Sequence, residues 1–298
     1  MAVCHSPFGN FKIMFNYYFN LTGLNILLQS PNPISVTTRF APFTSDETEN
    51  KDIIISITDC NTLPEIPESA IWQGLTCYSY TNNIQCIYHA EKPDSSPFAM
   101  TRFKENGDIE LFVLKEFLHY FDNTSSIFNH INMENMLLQH NGMLLHASFI
   151  KYNNSAILFT GPSGIGKSTQ ADLWKKIMNA EIINGDRAAI RKSNSSWTAF
   201  GSPYSGTSKI YINDSAPVKA LILLRQADEN RIFSLSPAEA LRFIYPEISS
   251  HKWDKFFVTK VTELFLNFVS DIPVFLLECL PNEDAVKLTQ AKLLSLNN

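Results

Sequence analysis

The sequence predicts an α/β chain in two parts: a β-rich module over residues 1–122, then a domain with a mixed sheet over residues 123–298. Three observations carry this. Hydrophobic residues fill 45% of the 298 positions, enough for packed cores. Short β-branched and apolar runs broken by polar turns dominate the first 120 residues. Further on, a glycine-rich loop at residues 161–169 stands between an apolar run and an amphipathic one, the order strand, loop, helix.

In the N-terminal module, residues 11–18 and 24–29 are apolar runs, and residues 52–58 are β-branched and strand-like. Residues 73–80 and 84–89 flank Thr81, Asn82 and Asn83, a hairpin turn. Residues 98–103 and 108–114 form a second hairpin across Glu105, Asn106 and Gly107. Residues 31–51 read as a polar connection. No chemistry is legible in this module; packing and some substrate contact are the expectation.

Residues 123–140 then read as one helix. Ser125 or Ser126 caps it, Ile127, Phe128, Ile131, Met136, Leu137 and Leu138 supply its apolar face, and Asn141-Gly142 ends it. Residues 143–151 and 155–160 are strands joined through Asn153 and Asn154, so a hairpin feeds the glycine loop. That loop, Gly161-Pro162-Ser163-Gly164-Ile165-Gly166-Lys167-Ser168-Thr169, fits the phosphate-loop pattern at every fixed position. Its glycines allow backbone angles that a Cβ forbids, so N–H groups can point inward as an anion nest. Lys167 would reach terminal phosphates of ATP or another nucleoside triphosphate, and the Ser168 hydroxyl would ligate Mg²⁺. The helix over residues 169–178, with Ala171, Trp174, Ile177 and Met178 inward, adds its positive end.

An apolar strand follows over residues 181–187 and carries Asp186 at its end, where a carboxylate near Mg²⁺ is needed. Arg187 beside it can pair with a transferring phosphate or with a surface carboxylate. Residues 188–191 and 196–200 read as a hairpin across Lys192, Ser193, Asn194 and Ser195. Residues 201–209 are a loop in which Ser205, Gly206, Thr207 and Lys209 form either a flap over the site or a plain connection. Strands are expected at 218–224, 232–235 and 273–279. Ser236 and Pro237 open one helix, residues 253–269 form another, and Asn282-Glu283 opens the last. Trp174, Phe256, Phe257, Phe265 and Phe268 read as core.

Composition narrows the partners. The net charge of -5 and the lack of a dense Lys/Arg run argue against nucleic acid or an anionic membrane. Residues 13–28 are interrupted by Asn16, Asn20 and Asn25, so neither a signal peptide nor a membrane span is expected. The five cysteines (Cys4, Cys60, Cys77, Cys86, Cys279) show no zinc spacing and read as reduced, mostly buried thiols of a cytoplasmic protein.

The segment from His146 to Arg187 resembles the catalytic domain of HPr kinase/phosphorylase, in the phosphoenolpyruvate-carboxykinase-like P-loop group. The resemblance rests on the hairpin-fed loop, on His146 at its spacing before Gly161, and on Asn184-Gly185-Asp186-Arg187 after it. It covers residues 142–278. More narrowly, the chain is similar to divergent bacterial HPr-kinase-like proteins, some of which accompany peptide natural-product pathways. The resemblance implies an HPr-kinase-like nucleotide-binding domain and a kinase using ATP and Mg²⁺ on a Ser or Thr hydroxyl of a protein or peptide. It would also allow a homo-oligomer. The family has two adjacent aspartates where this chain has Gly185 and Asp186. The proton acceptor is then either Asp186, which would also hold the metal, or His146, whose imidazole titrates near neutrality. The alternative is a slow ATPase module that holds a partner without phosphoryl transfer. A structural protein with a vestigial loop is the third class.

Overall fold

The computed structural model describes residues 14–81, 84–93, 95–193 and 196–297. The chain divides into two units. The first comprises residues up to Phe19, Leu24–Thr37 and Thr44–Ile131; the second comprises Asn20–Gly23, Thr38–Phe43 and Asn132–Asn298.

The first unit is built on an eight-stranded sheet. Its strands are β1 (Phe15–Leu21), β2 (Leu24–Ser30), β3 (Ile53–Cys60), β4 (Ile71–Gln73), β5 (Thr76–Thr81), β6 (Ile84–His89), β7 (Ala99–Phe103) and β8 (Ile109–Leu114). Their order is β1-β2-β3-β8-β7-β6-β5-β4. β3 runs parallel to both β2 and β8, while β4 to β8 form antiparallel neighbours. The alternation of β8, buried at Ile109, Leu111 and Val113, is that of a strand with one core face. Both expected hairpins form, though Asn82 and Asn83 lie outside the described residues, as do Cys4 and residues 11–13. The short β4 and its turn at Gly74 were not legible in the sequence.

The expected helix over residues 123–140 is instead two: α1 (Thr124–Ile131) and α2 (Met133–Gln139). Asn132 interrupts it at φ 66° and caps α2 by accepting from the Asn135 amide. Asn tolerates the left-handed region and bonds its own backbone, which is why the break falls there. At the start of α1 the cap is neither Ser125 nor Ser126: Asn123 Oδ1 accepts from the Ser126 amide at 2.9 Å.

The second unit holds β9 (Gly142–Tyr152), β10 (Ser155–Thr160), α3 (Lys167–Met178), β11 (Glu181–Asn184), β12 (Arg187–Ser193), β13 (Ser196–Phe200), β14 (Ser215–Gln226), β15 (Arg231–Ser234), α4 (Pro237–Ile244), α5 (Lys255–Asp271), β16 (Val274–Cys279) and α6 (Glu283–Leu294). The sheet order is β10-β9-β12-β13-β14-β16-β15, with β10 also pairing β14 and β11 pairing β9. The sheet is mixed: β10, β14 and β16 are parallel, and β9 is antiparallel to β10, β11 and β12. Asn153 and Asn154 take positive φ in the β9–β10 turn. In the β12–β13 hairpin, Asn194 and Ser195 lie outside the described residues.

Alternate residues of these strands feed two cores. Leu145, Phe149, Leu158, Leu221 and Leu276 pack with Phe257, Phe265 and Phe268 of α5. Phe159, Ile222 and Leu277 pack with Trp174 of α3 and Val286 of α6. The parallel strands are therefore covered on both faces, which explains their unbroken apolar runs. Phe256 departs from the core expectation: it is 49% exposed, on the outer side of α5. Ser236 caps α4 in a full capping box with Glu239. Of the four described cysteines, all free, only Cys77 is buried; Cys60, Cys86 and Cys279 are half-buried.

Candidate functional site

Strand register brings the site together. β9 is long enough to pair with three strands: its first residues, as far as His146, pair with β12, Phe149 to Lys151 pair with β11, and from Ala147 onward it also pairs with β10. His146 is opposite Arg187, and Ala147 is opposite Thr160, the last strand residue before Gly161. One strand therefore fixes the histidine, the Asp186 turn and the glycine loop in a single frame. Within Gly142–Ile150, His146 is the one residue not fully buried.

The glycine loop has Gly161, Gly164 and Gly166 at φ 137°, 80° and 116°, angles that suit glycine and disfavour any residue with a Cβ. α3 starts at Lys167, two residues earlier than its apolar spacing suggests, so Ser168 and Thr169 lie in its first turn. Lys167 is 7% exposed. Its Nζ donates to the carbonyls of Gly161 at 2.7 Å and Pro162 at 3.2 Å. Burial pulls its pKa down, and the charges of Glu247 and Asp186 oppose that.

Asn184, which the sequence showed only as a strand end, organises the Asp186 turn. It is fully buried. Its Oδ1 accepts from the amides of Asp186 at 2.9 Å and Arg187 at 2.7 Å. Its Nδ2 donates to the carbonyls of Ser202 and Tyr204, both at 3.0 Å, and so ties down the loop over residues 201–209. The signal for this role is the polar residue closing a buried apolar strand; a buried side-chain amide needs partners on both ends.

Asp186 Oδ1 lies 3.2 Å from His146 Nε2, and His146 Nδ1 lies 2.8 Å from Glu247 Oε2. The imidazole is thus held between two carboxylates. The hydrogen bond to Asp186 raises its pKa against burial, Glu247 adds to the rise, and the Lys167 charge opposes it. The same hydrogen bond lowers the Asp186 pKa, again against burial. Glu247 closes a 3₁₀ turn, Tyr245–Glu247, after α4. It stands 101 residues from His146, so no local pattern could reveal it. Arg187 is drawn partly away from the cavity: Nη1 donates to Ser249 Oγ at 2.6 Å, while Nε stands 3.7 Å from Asp186 Oδ2.

A cavity of about 290 Å³ is lined by His146, Ser163, Gly164, Gly166, Lys167, Ser168, Thr169, Gly185, Asp186 and Ser208. Of the predicted site residues, Gly161, Pro162, Ile165 and Arg187 are not in this wall: the first two lend carbonyls to Lys167, and Ile165 faces the core around Trp174. The flap residues behave unequally. A Cβ built on Gly206, at φ 52°, would lie 2.7 Å from Asp186 Cγ, so this glycine covers the carboxylate. Lys209 is exposed, and the Thr207 side chain lies outside the described residues. Ser208 was missed. A Cβ on Gly185 would lie 2.2 Å from Ser208 Oγ, so the serine fills the space beside Asp186. Among the described residues, no cluster of three His, Cys, Asp or Glu side chains is arranged to hold a metal ion. The same residues include no helix long and apolar enough to cross a membrane.

The second unit is thus an α/β domain with a hairpin-fed glycine loop facing an Asp–His–Glu chain. Residues 123–280, more than half of the chain, match the family described as SynChlorMet cassette protein ScmC, and the chain belongs to that family. No curated protein matches it. Among solved structures, the Hpr(Ser) kinase/phosphatase from Coxiella burnetii is similar over 52% of this chain and 99% of its own, at 13% identity and a TM-score of 0.32.

Proposed function

We propose that this chain is an ATP-dependent kinase that transfers the γ-phosphoryl group to a Ser or Thr hydroxyl of a protein or peptide. The observation that carries the reading is the single cavity in which Lys167, Ser168, Asp186 and His146 meet the glycine loop. Phosphoryl transfer asks the protein mainly for positioning and for charge. The loop amides and the start of α3 supply the anion site. Lys167, already buried among carbonyls, supplies the compensating charge. Ser168 and Asp186 share the cavity wall and are the residues that would hold Mg²⁺; bound with the nucleotide, it would neutralise phosphate charge.

Asp186 is the better proton acceptor of the two left open by the sequence. Both nitrogens of His146 already face carboxylates, so the imidazole is committed to orienting Asp186 and balancing its charge. The incoming hydroxyl gives its proton to Asp186 as its oxygen bonds the γ-phosphorus, and ADP leaves. The decisive experiment is transfer of labelled γ-phosphate to a peptide or protein co-expressed with the chain. Lys167→Ala should abolish transfer, and unchanged transfer would sink the assignment.

One observation favours a second reading, a slow ATPase module that holds its partner. Position 185 is glycine, with Ser208 in the space a side chain would take, so no carboxylate precedes Asp186 where the resemblance leads one to expect it. Nucleotide-dependent partner affinity without any phosphorylated acceptor would select this version.

A further inference from the structure

We propose that a second cavity, behind the glycine loop, takes the nucleobase and ribose of the nucleotide, and that its uncharged wall suits adenine over guanine. The proposal rests on the nucleotide reading of the loop given above.

This cavity measures about 360 Å³ and shares Gly164, Gly166 and Thr169 with the first. The loop therefore forms the ridge between the two, and a ligand with phosphates on one side can continue to the other. The volume lies within the roughly 300–1,000 Å³ of small-ligand sites. The acceptor has no business here, because its hydroxyl must approach Asp186, which lines only the first of these two cavities.

The topology makes the same point. The far wall comes from Gln226 and Ala227, at and just after the end of β14, and from Cys279, Leu280 and Pro281, at and just after the end of β16. β10, β14 and β16 run parallel, so these are the carboxyl ends of neighbouring parallel strands, where α/β sheets place their ligands.

The wall chemistry selects the base. Ile165, Leu224, Ala227, Leu280 and Pro281 give apolar surface for a flat ring. The polar side chains are Thr169, Gln170, Gln226 and Cys279, and none of the lining residues is charged. Gln226 is exposed, and its Nε2 only brushes the carbonyls of Gly164 and Ile165 at 3.5 Å. Once it exchanges those two long bonds for a ligand, its amide can offer a donor and an acceptor together, the pattern that matches the adenine N6/N7 edge. Guanine presents two adjacent donors that a carboxylate would best satisfy, and this wall holds none.

The test is calorimetric titration of the full chain with ATP, GTP and inorganic tripolyphosphate, each with Mg²⁺. Tripolyphosphate probes the loop alone. ATP should bind at least about tenfold more tightly than GTP or tripolyphosphate, and Ala227→Trp should bring ATP down to the tripolyphosphate level while tripolyphosphate itself stays within about threefold. Leu280→Trp, at the exposed rim, should act in the same direction. On the unmodified chain, ATP but not tripolyphosphate should slow alkylation of Cys279, read by mass spectrometry of its peptide. ATP no tighter than tripolyphosphate, or unprotected Cys279, overturns the base site while leaving the loop reading intact. GTP binding as tightly as ATP overturns the choice of adenine. If neither ATP nor tripolyphosphate binds, the loop reading fails and the base site fails with it.

Discussion

His146 Nδ1 and Glu247 Oε2 are 2.8 Å apart, although 101 residues separate them in the chain. This contact sets which nitrogen of the imidazole faces Asp186. Glu247→Gln keeps the shape and removes the charge. The expected outcome is a loss of about 10- to 100-fold in kcat, the scale of a misoriented group, with the KM for ATP nearly unchanged. Steady-state kinetics check this. A matching rise in KM, or no loss of kcat, would remove Glu247 from the catalytic frame.

Gly185 and Ser208 are fitted to each other. Gly185→Ala puts a Cβ 2.2 Å from Ser208 Oγ and should destabilise the fold by about 1–3 kcal/mol, the usual cost of overpacking. Ser208→Gly removes the obstructing hydroxyl, so the double variant should recover most of that loss. Chemical denaturation of the two single variants and the double closes the cycle. Additive losses would show that the two positions do not compete for the same space.

Acid should weaken the first unit through His89. This histidine is buried, its Nε2 lies 3.0 Å from Thr101 Oγ1, and burial pushes its pKa down to about 3. His130, whose ring centroid is 4.8 Å away, is lowered by burial too. Between pH 6.5 and about 3 the unfolded chain binds the proton that folded His89 refuses, so stability falls as pH falls, by about 1.4 kcal/mol per pH unit. Above pH 6.5 the group has no effect. His89→Gln should flatten the slope of melting temperature against pH between 6.5 and 4.5. An unchanged slope would assign the acid sensitivity elsewhere.

Asn132 is the joint between α1 and α2. Asn132→Ala loses the cap on the Asn135 amide and forces a Cβ-bearing residue without side-chain help into φ 66°. The expected cost is about 1–2 kcal/mol, and Asn132→Gly should cost less. Urea unfolding of both variants checks the order; a glycine variant weaker than the alanine one would contradict it.

How much of this was legible in the sequence depends on range. The glycine loop, the hairpin before it and the Ser236 cap are local, and their residues state them outright. Asp186 stands out as the carboxylate closing an apolar strand and His146 through a family resemblance; strand pairing between Arg187 and His146 is what brings the two together. The contacts that were missed are tertiary. Glu247 reaches the site from a turn after α4, Ser208 enters from a loop, and Asn184 acts through hydrogen bonds to backbone 18 and 20 residues on. The single helix expected over residues 123–140 failed because the apolar spacing runs on through Asn132, whose side chain bonds more favourably as a cap than within a helix.

The most direct test of the central claim, that Asp186 works with the glycine loop in phosphoryl transfer, is a single-turnover measurement with labelled ATP and a phosphorylatable co-expressed peptide. Asp186→Asn should bind ATP within about tenfold of the unmodified chain, held by the loop and Lys167, yet lose transfer by about 10²-fold or more, because the group that takes the proton and would help hold Mg²⁺ has lost its charge. Transfer at an undiminished rate in Asp186→Asn would contradict the account.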